Sequence, residues 1–521
     1  MMITVLLIVL CTYPGIFYGQ QYFVDETLFR LPPRADRATQ AGVGDLDADG
    51  DLDIVVVCTG SSAYETYLIE NDGAGSFPED SLRNLFSVRY NLTSVCFGDV
   101  ERDGDYDLFF TDYYDRHRLL INNGNGNFTD ESEPRLPENQ NSSSKDGALI
   151  DVDHDFDLDI SIANFNLGPN RLWLNTGNGY FEIASEQFPS GRENSNALAW
   201  GDVDGDFDLD CVIAQNTGYP NRLMINDGTG WFADETDERM PEDLSQSNGV
   251  ALVDIDADKD LDIVIANGWV PGDEKIFIND GAGYFTDESQ GRIPQDGGSS
   301  GFAAHGDIDN DGDSDLLISN YSSSGVDNKV YVNNGDGFFT DETVARFPSE
   351  EEETDALLLG DLDDDGDLDC FVANIGEYPS GQQNRLLINV STPDTFPPVI
   401  ARTLLHEDTS DTTGPYIIAS SIWDNVSITT GETEVSIHYR IGEGLFNEGE
   451  MLDCGGYVYR FGIPGAPRSS RVEYYVKAID RQGNISLDPP NAPDSVYSFM
   501  VTGTGIEKDT PGSELPKSFS L

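Results

Sequence analysis

The chain has little positive charge: 29 Lys and Arg stand against 95 Asp and Glu in 521 residues, a formal net charge of −66. Such a polyanion repels phosphate backbones and anionic lipid surfaces, so nucleic acid and membrane surfaces are excluded as partners and cations are expected. Histidine is scarce too, and His117, His154, His305, His406 and His438 fall in separate segments. No GxSxG, HExxH or phosphate-binding loop accompanies them, so no nucleophile, acid and base converge along the chain, and a non-enzymatic protein is expected. His154 reads as an exposed loop residue. His305, standing before Gly306-Asp307 where Phe97 and Trp200 stand elsewhere, reads as inner-strand packing.

Long apolar runs are missing as well. The run Ile3 to Cys11 is too short to span a bilayer, which takes about 20 residues, and no later run is longer. Residues 1–19 therefore read as a secretory signal peptide, and the mature chain as secreted or cell-surface, with no membrane span. Leu10 before Cys11 argues against lipidation there. Beyond it stand Cys58, Cys96, Cys211, Cys370 and Cys454, without a CxxC pair. An odd number sets no disulfide framework; Cys58, Cys211 and Cys370 sit in apolar strands and read as buried thiols, with one bridge of unassigned pairing left open. Disorder, the usual consequence of such acidity, is excluded by 22 Tyr, 27 Phe and regularly spaced apolar runs.

What is abundant is aspartate in a repeat. The strings DLDADGDLD (from Asp45), DVERDGDYD (Asp99), DVDHDFDLD (Asp151), DVDGDFDLD (Asp202), DIDADKDLD (Asp254), DIDNDGDSD (Asp307) and DLDDDGDLD (Asp361) start 54, 52, 51, 52, 53 and 54 residues apart. A steady period means one structural unit repeated. In each unit an apolar strand enters the acidic loop and a second leaves it. A third ends at Asn71, Asn122, Asn175, Asn226, Asn279, Asn333 or Asn389, and an Asn/Asp-Gly turn leads to a fourth beginning at Phe77, Phe128, Phe181, Phe232, Phe285 or Phe339. Four antiparallel strands per unit of about 50 residues suit the blades of a propeller. Asn389 has no fourth strand after it, whereas Phe23-Val-Asp-Glu-Thr27 matches Phe339-Thr-Asp-Glu-Thr343. The predicted fold is all-β: a seven-bladed β-propeller over residues 20–392, closed by the N-terminal strand, followed by a small β-sandwich.

Carboxylates at alternate loop positions converge on one cation if the backbone curls around it, and hard oxygen donors in a flexible cage suit Ca²⁺. The candidate ligands are Asp45, Asp47, Asp49, Asp51 and Asp53; Asp99, Glu101, Asp103, Asp105 and Asp107; Asp151, Asp153, Asp155, Asp157 and Asp159; Asp202, Asp204, Asp206, Asp208 and Asp210; Asp254, Asp256, Asp258, Asp260 and Asp262; Asp307, Asp309, Asp311, Asp313 and Asp315; and Asp361, Asp363, Asp365, Asp367 and Asp369. Position 7 is expected to give its carbonyl. Up to seven structural Ca²⁺ ions are expected. An EF-hand is excluded, because position 12 is apolar throughout, from Val56 to Val372, where that motif needs Glu. Gly50, Gly104, Gly312 and Gly366 supply a left-handed turn at position 6. Phe156, Phe207 and Lys259 replace glycine in loops three to five, where weaker binding is expected.

These loops resemble the FG-GAP or VCBS-type repeats of integrin-α-like propellers and of many secreted bacterial proteins, over about Gln21 to Thr392. The resemblance implies blade-borne calcium and adhesion or ligand binding, and no single reaction. Two alternatives stand beside it: a polysaccharide-acting enzyme on a calcium propeller, and a purely structural surface-layer protein.

Residues 393–502 carry alternating strands at Tyr416 to Trp423, Glu434 to Arg440, Tyr457 to Phe461, Arg471 to Asp480 and Val496 to Val501. Val472 to Asp480 with Gly483-Asn484 resembles fibronectin-III or Ig-like modules of secreted bacterial proteins. Residues 503–521 read as a linker, whose Leu515 to Leu521 resembles the start of a C-terminal sorting domain of Bacteroidetes-type bacteria. The expected partner is an extracellular protein or glycan. Its candidate rim is the aromatics between strands two and three of each blade, Tyr64, Tyr113, Tyr114, Phe165, Tyr219, Trp269, Tyr321 and Tyr378, with Asn166, Asn216 and Asn267 offering hydrogen bonds. The bland alternative is that these aromatics pack over blade ends.

Overall fold

The computed structural model describes residues 22–502 except 60–64, 87–89, 138–142, 185, 190, 192–193, 217, 269–271, 296, 321–326, 350–352, 377–380 and 427–432. The signal-peptide reading, the linker reading and four rim residues, Tyr64, Trp269, Tyr321 and Tyr378, lie outside the described residues.

Successive side chains of a strand face opposite sides, and the second strand of each unit is apolar on both. Asp210–Gln215 is buried throughout. Its Val212 and Ala214 pack with Leu252 and Ile263 of the following unit, and its Cys211 and Ile213 with Ile150 and Leu172 of the preceding one. A sheet that must be covered on both faces by copies of itself stacks around a ring.

The ring is present. Six consecutive units form four-stranded antiparallel sheets, as in Ser195–Gly201, Asp210–Gln215, Arg222–Asn226 and Phe232–Asp234. The seventh joins Thr354–Gly360, Asp369–Asn374 and Arg385–Asn389 to the N-terminal strand Phe23–Asp25, with Phe23 opposite Asn389 and Asp25 opposite Leu387. Each inner strand touches its neighbours, and the last, Thr354–Gly360, touches the first, Ala38–Gly44. Every inner strand also carries a register shift, such as that between Ser195 and Ala197, which adds local twist.

Blade one corrects the sequence reading. Its fourth strand does not begin at Phe77: the paired residues are Arg83 and Asn84, opposite Leu68 and Tyr67. Pro78, next to Phe77, lacks the N–H that the ladder needs, so pairing resumes further on. Phe77 remains buried.

The second unit is a sandwich of two sheets. One joins Val399–Thr403, Tyr416–Trp423, Val458–Ile463 and Leu452–Asp453; the other joins Asn447–Glu450, Glu434–Ile441, Ser470–Ile479 and Ile485–Asp488, with Tyr497–Val501 also paired to Ser470–Ile479. Ile418, Val435, Ile437, Val472, Val476 and Phe499 fill the space between them.

The sandwich sits on the acidic-loop end of the propeller. Its turn Cys454 to Tyr457 enters the mouth of the central channel. There the Asp151 N–H donates to the Cys454 carbonyl at 2.9 Å, and the Tyr457 hydroxyl lies 3.3 Å from Nε2 of His305. His305 stands on the inner strand Ser300–Gly306, and burial pushes its pKa down to about 4. His154 is not an exposed loop residue: its side chain is 8% exposed and its Nε2 lies 3.1 Å from Oδ1 of Asp208. Among the described residues no helix is long and apolar enough to cross a membrane.

Candidate metal centres

Each acidic string forms the connection between the inner and second strands, and its position-9 aspartate already belongs to the second strand, as Gly201 opposite Asp210 shows. That aspartate is a brace. In all seven blades its Oδ2 accepts the N–H of loop position 2, as from Val203 to Asp210 at 3.2 Å. Its Oδ1 accepts the N–H of the asparagine closing strand three, as from Asn226 at 2.9 Å.

The same asparagine staples the ring. The Asn226 side-chain amide donates to Val152 O, at position 2 of the preceding blade's loop, at 2.9 Å, and to Leu209 O at 3.3 Å. The contact to the preceding blade recurs from Asn122, Asn175, Asn279, Asn333 and Asn389, and Asn71 makes it to Leu362 O of blade seven, across the closure.

The loops curl as the spacing predicts. Positions 4 and 6 are left-handed: Ala48 (φ 61°) and Gly50 (φ 95°) in loop one, and His154 (φ 65°) and Phe156 (φ 72°) in loop three. Phe207 (φ 70°) and Lys259 (φ 75°) adopt the same turn as glycine does elsewhere. A bulky residue there costs of order 1–3 kcal/mol, and neighbouring contacts hold each in place. Phe156 O accepts from Arg102, Phe207 O accepts from Arg460, and Lys259 Nζ donates to Ile400 O.

Carboxylate oxygens converge inside these turns, lying within 4.8 Å of one another in Asp45, Asp47 and Asp49; Asp151, Asp153 and Asp159; Asp202, Asp204 and Asp206; Asp254, Asp256 and Asp262; and Asp307, Asp309 and Asp311. Loops three to five thus form clusters without the glycine. Position-7 side chains turn to other partners, Asp157 to Arg102 at 3.0 Å, Asp208 to His154 and Asp260 to Arg402 at 2.7 Å, which leaves the main-chain carbonyl as the donor expected there. Loop three differs in one respect: Asp151 pairs with Arg460 at 3.1 Å instead of capping its own loop's amides, and both residues are 1% exposed.

A set of arginines, unnoticed in the sequence reading, sits beside the clusters. In the string D-E-x-x-x-R after strand four, Arg30, Arg239, Arg292 and Arg346 reach Oδ2 of the position-3 residues Asp363, Asp204, Asp256 and Asp309 at 3.1, 3.1, 3.5 and 2.9 Å, and Arg135 reaches Glu101 at 2.6 Å. The other oxygen of each aspartate, Oδ1, is buried with no hydrogen-bond partner, as are Oδ1 of Asp47 and of Asp153. Burial and neighbouring like charges push Asp153 up to about 6 and Asp206 up to about 8. Six inward oxygens, one per loop at the same position, are a donor set of hard oxygen ligands without nitrogen or sulfur competitors, which fits a calcium ion.

The described cysteines form no bridge. Cys58, Cys211 and Cys454 are buried, and burial pushes the thiols of Cys58 and Cys211 well up.

At the opposite end, Tyr113, Tyr114 and Phe165 form one cluster, with ring centroids 4.6 and 6.1 Å from Tyr113. Tyr114 is 71% exposed, while Tyr113, Phe165 and Tyr219 are half-buried. Asn267 does not offer hydrogen bonds to a partner: it is buried, accepts from Ser247 and donates to Asp273 O.

The family model of the FG-GAP-like repeat matches six overlapping spans, 45–110, 99–162, 151–213, 202–265, 254–318 and 307–372. Cartilage acidic protein 1 of Xenopus tropicalis is 25% identical over 269 residues, 45% of this chain and 40% of that protein, so the match spans well under two thirds of the relative. Among solved structures, the biofilm matrix protein Bap1 of V. cholerae aligns over 77% of this chain and 73% of its own, with 13% identity and a TM-score of 0.32. Six consecutive matches over the loops and strands described above settle the family: the chain belongs to the FG-GAP-like repeat proteins.

Proposed function

We propose that the protein is a secreted, calcium-loaded binding module whose ions are structural and whose partner is an extracellular protein or glycan. The observation that carries the calcium is the buried, partnerless Oδ1 at position 3 of six loops. An unpaired buried carboxylate oxygen is too costly to recur six times without a ligand, and a divalent ion supplies one. Asp45, Asp47 and Asp49 would hold it in loop one and their counterparts elsewhere, with a position-7 carbonyl. The ion would neutralise clustered carboxylates and fix the loop to which the next blade's asparagine is stapled.

The FG-GAP-like repeat is a structural unit and carries no reaction of its own. The similarity to a cartilage acidic protein supports an extracellular location, and the sorting-domain-like Leu515 to Leu521 supports a bacterial source. The exposed cluster around Tyr114 supports the rim as a place where ligands stack.

Thermal unfolding tests the calcium directly. At ten times the dissociation constant each site adds roughly 1.4 kcal/mol, so millimolar calcium is expected to raise the melting temperature by about 10 °C or more over protein in chelator. An unmoved melting temperature would remove the proposal.

A further inference from the structure

The sandwich covers the acidic loops unevenly. Arg481 reaches Gly50 O of loop one and Asp364 of loop seven, Arg460 loops three and four, Arg402 loop five, and Asn425 Asp307 of loop six. Loop two turns aside: its Arg102 donates to Phe156 O and Asp155 O of loop three. Between these two loops and the outer face of the five-stranded sheet lies a cavity of about 640 Å³. That is within the roughly 300–1,000 Å³ of small-ligand sites, which favour junctions between folded units. A second cavity of about 420 Å³ shares Gly104, Tyr106, Glu434 and Ile479 with the first, so the two form one cleft.

The cleft is acidic and aromatic. Glu434, Glu448 and Glu450 stand exposed on its sandwich wall and Asp99 on its floor. Asp480, 4% exposed, borders the second cavity, and its Oδ2 is buried without a partner. Arg102 is spent on loop three and Arg481 on loops one and seven, which leaves Lys477 as the opposing Lys or Arg among the described lining residues, with His438 Nε2 3.7 Å from Glu448. Loop two holds five carboxylates, from Asp99 to Asp107, so one divalent ion leaves it negative. Tyr106, Phe156 and Tyr459 add ring surface.

We infer that this cleft receives a Lys- or Arg-bearing segment of a partner protein, its cations set against Glu434, Glu448, Glu450 and Asp480 and over the aromatic rings. The inference rests on the ligand-binding reading and places that binding away from the Tyr114 rim.

The test is calorimetric titration of the full chain, in millimolar calcium and physiological salt, with a synthetic peptide alternating Arg, Lys and Gly. The triple variant Glu434→Gln, Glu448→Gln, Glu450→Gln is compared with Glu133→Gln, Glu182→Gln, Glu186→Gln, an equal charge change on exposed blade edges, after matching melting temperatures. The first is expected to weaken binding at least tenfold and the second less than twofold. Equal weakening by both, which would mean attraction to the polyanion at large, overturns the site, as does no binding at all. Loss through Tyr114→Ala with Tyr219→Ala instead would keep the ligand-binding reading and move the partner to the rim. Displacement of the peptide's role by a neutral oligosaccharide sensitive to the first triple would overturn the class of partner.

Discussion

Asn226 shows how much one side chain carries. Its main-chain N–H and side-chain amide together tie strand three to its own loop and to Val152 of the preceding blade, while its Oδ1 accepts from Gly228. Asn226→Ala keeps the main-chain bond but removes the donor to Val152 O and Leu209 O and the acceptor of the Gly228 N–H, and is expected to cost about 2–4 kcal/mol in urea unfolding. His117 sets a pH limit of a different origin. It is fully buried, its Nδ1 accepts the Asp112 N–H, and burial, with Arg171 and Arg118 nearby, pushes its pKa from 6.5 down to about 3. The unfolded chain takes up the proton first, so stability is lost as pH falls from 6.5 towards 3, by about 1.4 kcal/mol per pH unit. His117→Gln is expected to flatten that part of the acid limb, read as the urea midpoint against pH at saturating calcium. The alternating aspartates were legible because their spacing is local. The arginines that grip position 3 were not, because each lies far along the chain from the loop it grips and only the folding of its own blade brings the two together.

At the scale of strands, the closure by Phe23–Asp25 was legible from a missing copy at one end and a matching one at the other. Phe23 is fully buried and packs edge-on against Phe347, their centroids 5.5 Å apart. Phe23→Ala is expected to lower stability by about 3–5 kcal/mol, and removal of residues 22–25 to open blade seven to protease before any other. The short helices after strand four and the displaced strand of blade one escaped the sequence reading: Phe77 fits the repeat pattern, and only Pro78 shows that its backbone cannot pair. The sandwich's short strands, among them Asn447–Glu450, escaped because a polar edge strand carries no alternation to detect.

For the whole molecule the seating of the sandwich on the acidic loops is the feature that the chain hid most completely. Its contacts join residues hundreds of positions apart, such as Arg460 to Asp151 and Arg481 to Gly50, and none repeats with the blade period. The buried pair Arg460–Asp151 makes the joint sensitive. Arg460→Met leaves the Asp151 carboxylate buried beside the channel mouth without its cation and is expected to destabilise by about 3–5 kcal/mol in chemical denaturation. The loops are shared by ion and sandwich alike, so chelation is expected to loosen the sandwich as well as the blades, visible as faster cleavage between residues 390 and 400.

The most direct measurement is the metal content of the purified full chain, by mass spectrometry, after dialysis against millimolar calcium and again after chelator. Several calcium ions per chain, approaching one per acidic loop and lost on chelation, are the expected result. Less than one ion per chain, or a count unchanged when Asp204 and Asp309 are replaced by Asn, would contradict the assignment of the loops to calcium.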